Sequence, residues 1–466
     1  VLCLNGVPVA TAELKSDFTQ SVHDAVDQYR FDRHPHPKGG VPEPVLGFPG
    51  GALVHFAVSQ SEVMMCTRLA GPATRFLPFN RGCEGGAGNP PNPEGFATAY
   101  LWEEVWARES WLDLLHRYLT PRRDRRQQLQ TWIFPRYHQL DATRRLVDDV
   151  RQSVNRGEDA GGLRYLIQHS AGSGKTNSIA WAAHFLADLH DDQHRKVFDS
   201  VLVVSDRNVL DAQLQEALFE FQRTTGVVAT ITSDSGSKSG QLSQALEEGK
   251  KIIVCTLQTF PFALAAVQAL AATEGKRFAV IADEAHSSQT GEAAARLKQL
   301  LSAEDWASLS GSLQDGGEID TEALLAAQMA AKASPKGLTS IAFTATPKAK
   351  TLELFGRRDP ADGPDGLPQP FHVYPMRQAI EEGFILDVLK NYTSYAAFDH
   401  LSALATDKLL PQKKAKQALA QFAKLHAHNI AQKVVVIVEH FREHVAKKIG
   451  GKAKAMLVTD SRKAAV

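Results

Sequence analysis

The segment Tyr165-Leu-Ile-Gln-His-Ser-Ala-Gly-Ser-Gly-Lys-Thr176 sets an apolar run before a glycine-rich turn, a lysine and a hydroxyl. Glycines let backbone N–H groups curl around phosphate oxygens, and a helix starting near Lys175 would add a favourable dipole. In that arrangement Gly172, Ser173 and Gly174 form a cradle, Lys175 reaches the β- and γ-phosphates, and the Thr176 hydroxyl can ligate Mg²⁺. His169 stands where the strict pattern has its first glycine, so a chance Gly/Ser turn stays open as an alternative. A second apolar run, Phe278-Ala-Val-Ile-Ala-Asp-Glu-Ala-His286, ends in two acids and a histidine. Asp283 can hold a metal through its shell while Glu284 polarises an attacking water. The plainer reading is an acidic pair capping a helix, but the interval from Lys175 suits a sheet whose strand ends meet one nucleotide. A third run, Ser340-Ile-Ala-Phe-Thr-Ala-Thr-Pro347, places Thr344 and Thr346 on one side of an extended chain. Their hydroxyls can link the acidic pair to a following domain, or simply end a Thr-rich strand.

The elements that must position these residues follow from periodicity. Apolar β-rich runs at Leu163 to Ile167, Ser200 to Val204, Lys251 to Val254, Phe278 to Ala282 and Thr339 to Phe343 alternate with helical stretches. That pattern predicts a parallel sheet wrapped by helices between Trp132 and about Pro370. Glu304 to Pro335 reads as helix plus exposed loop. Ahead of it, Leu2 to Lys15 predicts a hairpin turning at Asn5-Gly6, with Pro8 marking an edge position. Asp17 to Arg33 predicts a helix burying Phe18, Val22, Ala25, Val26 and Tyr29, and Ala52 to Phe79 a short meander. His34 and His36 fall in a Pro/Gly loop between them and read as solvated. Gly82 to Gly95 reads as a linker, Tyr100 to Leu119 as an amphipathic helix facing inward with Leu101, Val105, Trp106, Leu112 and Leu115, and Arg122, Arg123, Arg125 and Arg126 as a solvated connection, with DNA contact the alternative. After a second linker, Asp359 to Pro370, strands are expected at Val434 to Val438 and Ala455 to Thr459.

The 466 residues suggest about three folding units. Lys+Arg 52 and Asp+Glu 52 cancel, so any grip on a nucleic acid must come from local arrangement rather than net charge. No apolar stretch approaches the ~20 residues needed to span a bilayer. The four cysteines form no C-x-x-C pair, which signals neither a zinc site nor a disulfide framework and suits a cytoplasmic setting. The first residues, Val-Leu-Cys-Leu, and the last, Lys463 to Val466, lead to the expectation of a fragment cut at both ends.

In this order the three strand ends resemble motifs I, II and III of superfamily-2 helicase and translocase motors. The resemblance implies adenine contact by Gln139 in Phe134-Pro-Arg-Tyr-His-Gln139, with an aromatic ring nearby for stacking, and coupling roles for His286, Thr344 and Thr346. It also implies that Ser205 and Arg207 in Val203-Val-Ser-Asp-Arg207, and Thr256 and Thr259 in Val254-Cys-Thr-Leu-Gln-Thr259, bond phosphates of a tracked DNA strand, ordinary strand-end capping being the alternative. Glu13 and Lys15 flank Leu14 and so share one strand face. That E-x-K pair resembles the second half of a PD-(D/E)xK nuclease core, in which carboxylates hold Mg²⁺ and the lysine steadies developing charge.

Hairpin, helix with Gln28, then motor is the order seen in the restriction subunit of type I restriction-modification enzymes, which the chain resembles nearly throughout. Two departures stand out: the family's first nuclease Asp should precede the Asn5-Gly6 hairpin, and Gln28-Tyr-Arg-Phe-Asp32 lacks the final Tyr of the Q-x-x-x-Y element. The implied fold class is α/β: a PD-(D/E)xK-type α+β nuclease remnant (1–81), a linker and connecting helix (82–131), a RecA-like ATP-binding lobe (132–370) and the start of a second RecA-like lobe (371–466). The implied activity is ATP-driven translocation on double-stranded DNA with remote endonucleolytic cleavage, using ATP and Mg²⁺. The implied partners are modification methyltransferase and specificity subunits. A nuclease-linked repair helicase without those partners is the alternative, and a P-loop ATPase acting on proteins or small molecules a third. Glu284→Gln is expected to retain nucleotide binding and lose hydrolysis, because the amide keeps the side chain's size but cannot act as a base; nucleotide titration beside phosphate release checks this.

Overall fold

The computed structural model describes residues 1–33, 35, 40–124, 126–157, 163–205, 208–222, 226–231, 238–256, 263, 266–267, 270–271, 273–283, 337–358, 366–387, 427–447 and 453–459. They divide into two compact units, Val1–Leu386 and Asp387–Val466.

The first unit opens with β1 (Leu2–Leu4) and β2 (Val7–Leu14), an antiparallel hairpin turning at Asn5 and Gly6, both at positive φ (50° and 81°) as a type I′ turn requires. β2 then pairs in parallel with β3 (Val54–Val58), but only from Ala10 to Leu14, so Pro8 sits on the stretch that faces β1 alone. β4 (Val63–Cys66) and β5 (Leu77–Pro78) complete a five-stranded sheet in the order β1-β2-β3-β4-β5. The parallel step is bridged by α1 (Val22–Asp27), shorter than the helix the sequence predicts. The Asp24 carboxylate accepts from Ser21 N–H (2.6 Å) and Ser21 Oγ (2.9 Å), which starts the helix at Ser21, and from Gln28 to Asp32 the chain widens into a π turn. Phe18 therefore lies outside the helix, 90% exposed, while Val22, Ala25, Val26 and Tyr29 are buried.

Gly82 to Gly95 is folded rather than a loose linker. Gly82 N–H donates to Gly88 O (2.8 Å), and Ala87 N–H reaches the Glu381 carboxylate (2.7 Å). Between 100 and 119 the helix is broken into a π turn (Leu101–Val105), α2 (Arg108–Asp113) and a second π turn (Leu114–Tyr118). The break at Trp106-Ala107 shifts the inward face from Leu112 and Leu115 to Trp111, Leu114 and Tyr118, which are buried. Arg122 and Arg123 belong to a hairpin of β6 (Thr120–Arg123) and β7 (Leu129–Ile133).

α3 (Tyr137–Asn155) leads into a seven-stranded sheet. Its strands and helices are β8 (Arg164–His169), α4 (Lys175–Ala187), β9 (Ser200–Ser205), α5 (Asn208–Phe221), β10 (Val228–Thr230), α6 (Lys238–Glu247), β11 (Ile252–Thr256), β12 (Phe278–Asp283), β13 (Leu338–Thr344), α7 (Ala349–Phe355), β14 (His372–Tyr374) and α8 (Met376–Glu381). The strand order is β10-β11-β9-β12-β13-β8-β14, every pair parallel. The central strands are buried on both faces, which explains their unbroken apolar runs. This is an open, all-parallel α/β lobe. β14 pairs with β8, so residues from 371 to 386, expected to open the next unit, complete this sheet instead.

In the second unit, α9 (Ala427–His440) covers Val434 to Val438, where the β-branched run predicts a strand. Helix formation is cooperative, and the flanking residues carry the helix through a run that locally favours strand. Residues 455–459 form no regular element, so the expected strand pair and its open edges are absent from the described residues. Glu304 to Pro335 lies outside the described residues.

The two sheets of the first unit share one core. Phe56 of β3 meets Phe79, Trp106, Trp111 and Phe134, with ring centroids 5.4–6.2 Å apart. Phe56→Ala removes the ring at the centre of this cluster and should lower unfolding stability by about 3–5 kcal/mol. Chemical denaturation of the variant beside the unsubstituted protein measures it.

Candidate functional site

The C-terminal ends of the parallel strands bring the phosphate-type residues to one edge. β8 runs out at His169 into the turn, and α4 begins at Lys175 with Gly174 as its N-cap in the left-handed region (φ 76°, ψ 39°). The register sets Asp283 level with Phe343 and Thr344 level with Gln168, so the acid, the threonine and the glycine turn open on the same side. Thr256 and Ser205, partners across β11 and β9, end at that edge too. Ser205 is buried (2% exposed), as is Thr344 (2%). Thr346 lies in an exposed bend past the strand end, so the two threonines do not share one side of an extended chain as the sequence predicts. Arg207, Thr259, Glu284 and His286 lie outside the described residues, as do His34 and His36.

The turn is shaped by two glycines in the left-handed region, Gly172 and Gly174. A β carbon on Gly174 would stand 2.6 Å from Gln139 Nε2, and one on Gly172, itself at φ 72°, 3.1 Å from Ile385 Cγ2. Its carbonyls face the start of α3. Arg136 Nη2 donates to Gly172 O (2.8 Å), Gln139 Nε2 donates to Ser173 O (3.1 Å) and Gly174 O (3.0 Å), and His138 Nε2 lies 3.0 Å from Ser173 O. Gln139 Oε1 accepts Arg136 N–H (2.9 Å). The carboxamide expected to contact adenine is thus spent on backbone in this conformation. The aromatic rings of its segment are engaged as well: Phe134 in the core cluster, Tyr137 against Phe79 and Tyr100. Lys175 Nζ donates to His169 O (3.1 Å) and Ser170 O (3.5 Å).

Beside the turn lies a cavity of about 670 Å³, lined in part by Arg75, Arg122, Arg136, Thr176, Glu216 and Phe384. Ser173 Oγ and Arg136 Nη1 are buried without a hydrogen-bond partner among the described residues. Glycines held in the left-handed region at the start of a helix and unsatisfied buried donors fit a triphosphate nucleotide.

His169, in the place of the expected glycine, is fully buried. Its Nε2 lies 2.9 Å from His372 Nδ1, and His372 Nε2 lies 3.1 Å from Asp141 Oδ2. A carboxylate accepts, so His372 Nε2 carries a proton, and His169 Nε2–H donating to His372 Nδ1 is the assignment that leaves no buried N–H of His169 without an acceptor. That leaves His169 Nδ1 a lone pair, consistent with its having no partner. Burial first, then the neighbouring His372, hold His169 well below its ordinary pKa; burial and Arg136 do the same for His138. Burial acts to raise Asp141, but hydrogen bonds from His372 and Arg145 hold it below the usual range.

A second constellation lies on the five-stranded sheet. Lys15 Nζ donates to Gln28 Oε1 (2.5 Å) and lies 3.9 Å from Glu13 Oε1, while Arg33 Nε lies 3.7 Å from Glu13 Oε2. Tyr29 is turned inward, its hydroxyl 2.7 Å from Thr11 Oγ1. Arg136 and His138 belong to the same short segment as Gln139, Phe134 to Gln139. His372 and Phe384 stand in no local pattern that could have marked them.

The family described as SWI2/SNF2 ATPase matches residues 138–423, well over half of the chain. No curated protein matches. Similar solved structures include the UvsW helicase from bacteriophage T4, at 11% identity over 51% of this chain and 60% of that one, TM-score 0.28. A fragment of a putative HsdR subunit of a type I restriction enzyme from Vibrio vulnificus is 16% identical over 86% of this chain and 61% of that one, TM-score 0.30. A nuclease-deletion mutant of the Type ISP restriction-modification enzyme LlaGI, solved with a DNA substrate mimic, is 15% identical over 65% of this chain and 24% of that one, TM-score 0.27. The chain therefore spans less than two thirds of the length of each.

The buried histidines fix a pH response. His169 and His138 stay neutral in the fold, and His55, lowered to about 4 by burial, joins them. Unfolded histidine titrates near ~6.5, so below that pH the unfolded chain binds more protons and stability falls, while above about pH 7.5 these groups contribute no slope. Thermal melting between pH 5 and 8 should show this loss on the acid side, and His169→Gly should flatten it in part.

Proposed function

The chain belongs to the SWI2/SNF2 ATPase family, and from that premise we propose that it is the restriction subunit of a type I restriction enzyme. In this reading it hydrolyses ATP to translocate double-stranded DNA and cuts that DNA away from the recognition site. The observation that supports the nuclease half is the meeting of Glu13, Lys15 and Gln28 at one sheet end, inside the same compact unit as the glycine turn. Modification methyltransferase and specificity subunits supply target recognition.

The residues then take definite roles. Gly172, Ser173 and Gly174 enclose the phosphates, with Gln139 holding the turn's shape from behind. Lys175 exchanges its two backbone carbonyls for phosphate oxygens, a stronger, charge-assisted set of acceptors. Thr176 and Asp283 would hold the magnesium ion, which compensates triphosphate charge, and Glu284 polarises the attacking water. His286, Thr344 and Thr346 relay hydrolysis toward the second unit. Ser205, Arg207, Thr256 and Thr259 hold strand phosphates, which fixes position without reading sequence. At the hairpin Glu13 would hold the nuclease magnesium and Lys15 steadies the developing charge.

Two substitutions separate the activities in the complex reconstituted with modification and specificity subunits. Glu13→Ala should abolish cleavage of circular DNA and leave DNA-stimulated ATPase within about twofold, because the two sites use different side chains. Lys175→Ala should abolish both ATPase and cleavage. Cleavage at the normal rate by Glu13→Ala would reduce the hairpin to scaffolding. ATPase indifferent to duplex DNA would place the chain among P-loop ATPases with other substrates, and failure to assemble with a methyltransferase would favour a repair helicase.

A further inference from the structure

The ring expected to stack on the nucleotide base is not supplied by the segment before Gln139. Phe134 is 6% exposed within the core cluster, and Tyr137 is held edge-on by Phe79 and Tyr100. The aromatic side chain that does reach the site comes from the far end of the first unit. Past α8 the chain turns at Gly383 (φ 77°) and lays Phe384 and Ile385 over the glycine turn. A β carbon on Gly172 would stand 3.3 Å from Phe384 O and 3.5 Å from Phe384 Cβ. The Phe384 ring lies under the Arg136 guanidinium, 4.0 Å from carbon to centroid, and both line the cavity beside Thr176. Phe384 is only half-buried.

Arg136 makes the second, independent observation. It is 7% exposed, its Nη2 is committed to Gly172 O, and its Nη1 has no acceptor among the described residues. A buried guanidinium N–H without an acceptor costs free energy that a ligand atom would recover. A flat guanidinium over a phenyl ring, at the mouth of a phosphate cradle, offers stacking surface and one directed donor. Those are the requirements for a nucleobase with ring-nitrogen acceptors.

We propose that Phe384 is a base-stacking residue of the nucleotide site: the purine of ATP packs against the Arg136–Phe384 pair and accepts from Arg136 Nη1. This rests on the reading of the glycine turn as an ATP site and adds to it the residue that holds the base. The stacking ring is thereby carried by the segment that closes the first unit, not by the strand-to-helix entry before α3.

The test compares ATP with inorganic tripolyphosphate, which carries the phosphates without a base. Base–aromatic stacking is worth enough that Phe384→Ala should weaken equilibrium binding of ATP to the intact chain about tenfold or more while leaving tripolyphosphate within about twofold. Phe384→Tyr should restore ATP binding, since it keeps the ring. Unchanged ATP affinity in Phe384→Ala, or equal weakening of both ligands, would overturn the proposal. Lys175→Ala should weaken both ligands together; if it weakens neither, the ATP-site reading itself fails and the assignment of Phe384 with it. If Phe384→Ala does not fold, Phe384→Trp takes its place. Quenching of the new indole by ATP but not by tripolyphosphate supports the stack, and no quenching by either overturns it.

Discussion

The carbonyls of the glycine turn between β8 and α4 face into the protein. Those carbonyls need donors. Gly172 O, Ser173 O and Gly174 O are served by Arg136, His138 and Gln139, side chains from the first turn of a single helix. The cradle therefore keeps its shape only while the start of α3 stays in place. That start is fixed from outside the motor sheet, by Phe134 and Tyr137 packing on Phe79 at the end of the five-stranded sheet and on its neighbours. The small sheet thus forms part of the foundation of the glycine turn. This explains why the two sheets share one hydrophobic core rather than meeting across a solvated joint.

The loop is tied down from below as well. His169 takes the place of a glycine and uses its ring to reach His372 on β14, which in turn reaches Asp141 on α3. Ser170 N–H donates to Tyr374 O (2.9 Å), and Tyr374 stacks on His138 with centroids 3.8 Å apart. Three elements that are remote in sequence, α3, β8 and β14, are locked around one turn by imidazoles, of which burial holds His169 and His138 well below their ordinary pKa. Neutral rings suit this place, since a further cation under Lys175 and Arg136 would be unpaired in a low-dielectric setting.

The hairpin and the glycine turn belong to one compact unit, although the sequence between them reads as a linker. Glycines in the 82–87 part of this stretch serve tight turns that dock on α8 instead of loosening the chain. Gly82 has no room for a β carbon beside the Gln378 carboxamide (2.6 Å), and the Glu381 carboxylate accepts from Ala87 N–H. Composition alone cannot separate a flexible stretch from one whose glycines are needed for close approach.

What the sequence determined by itself was everything set by local chemistry. The five strands read from unbroken apolar runs are present, because a strand buried on both faces must be apolar throughout. The Asn5-Gly6 hairpin is present because only such residues accept two positive φ values in succession. The glycine turn was legible because its backbone demands leave few alternatives. Tertiary structure decided the rest. Val434 to Val438 became helix because cooperativity in α9 outweighed local preference. Helix phase between 100 and 119 was reset by a break, so Trp111 and Leu114 went inside in place of Leu112 and Leu115. His372 and Phe384 carry no signature of their own. They matter only because a three-residue strand adds to the edge of the sheet and brings them to a loop some two hundred residues earlier in the chain, a contact that pairing and packing make and no local spacing can announce.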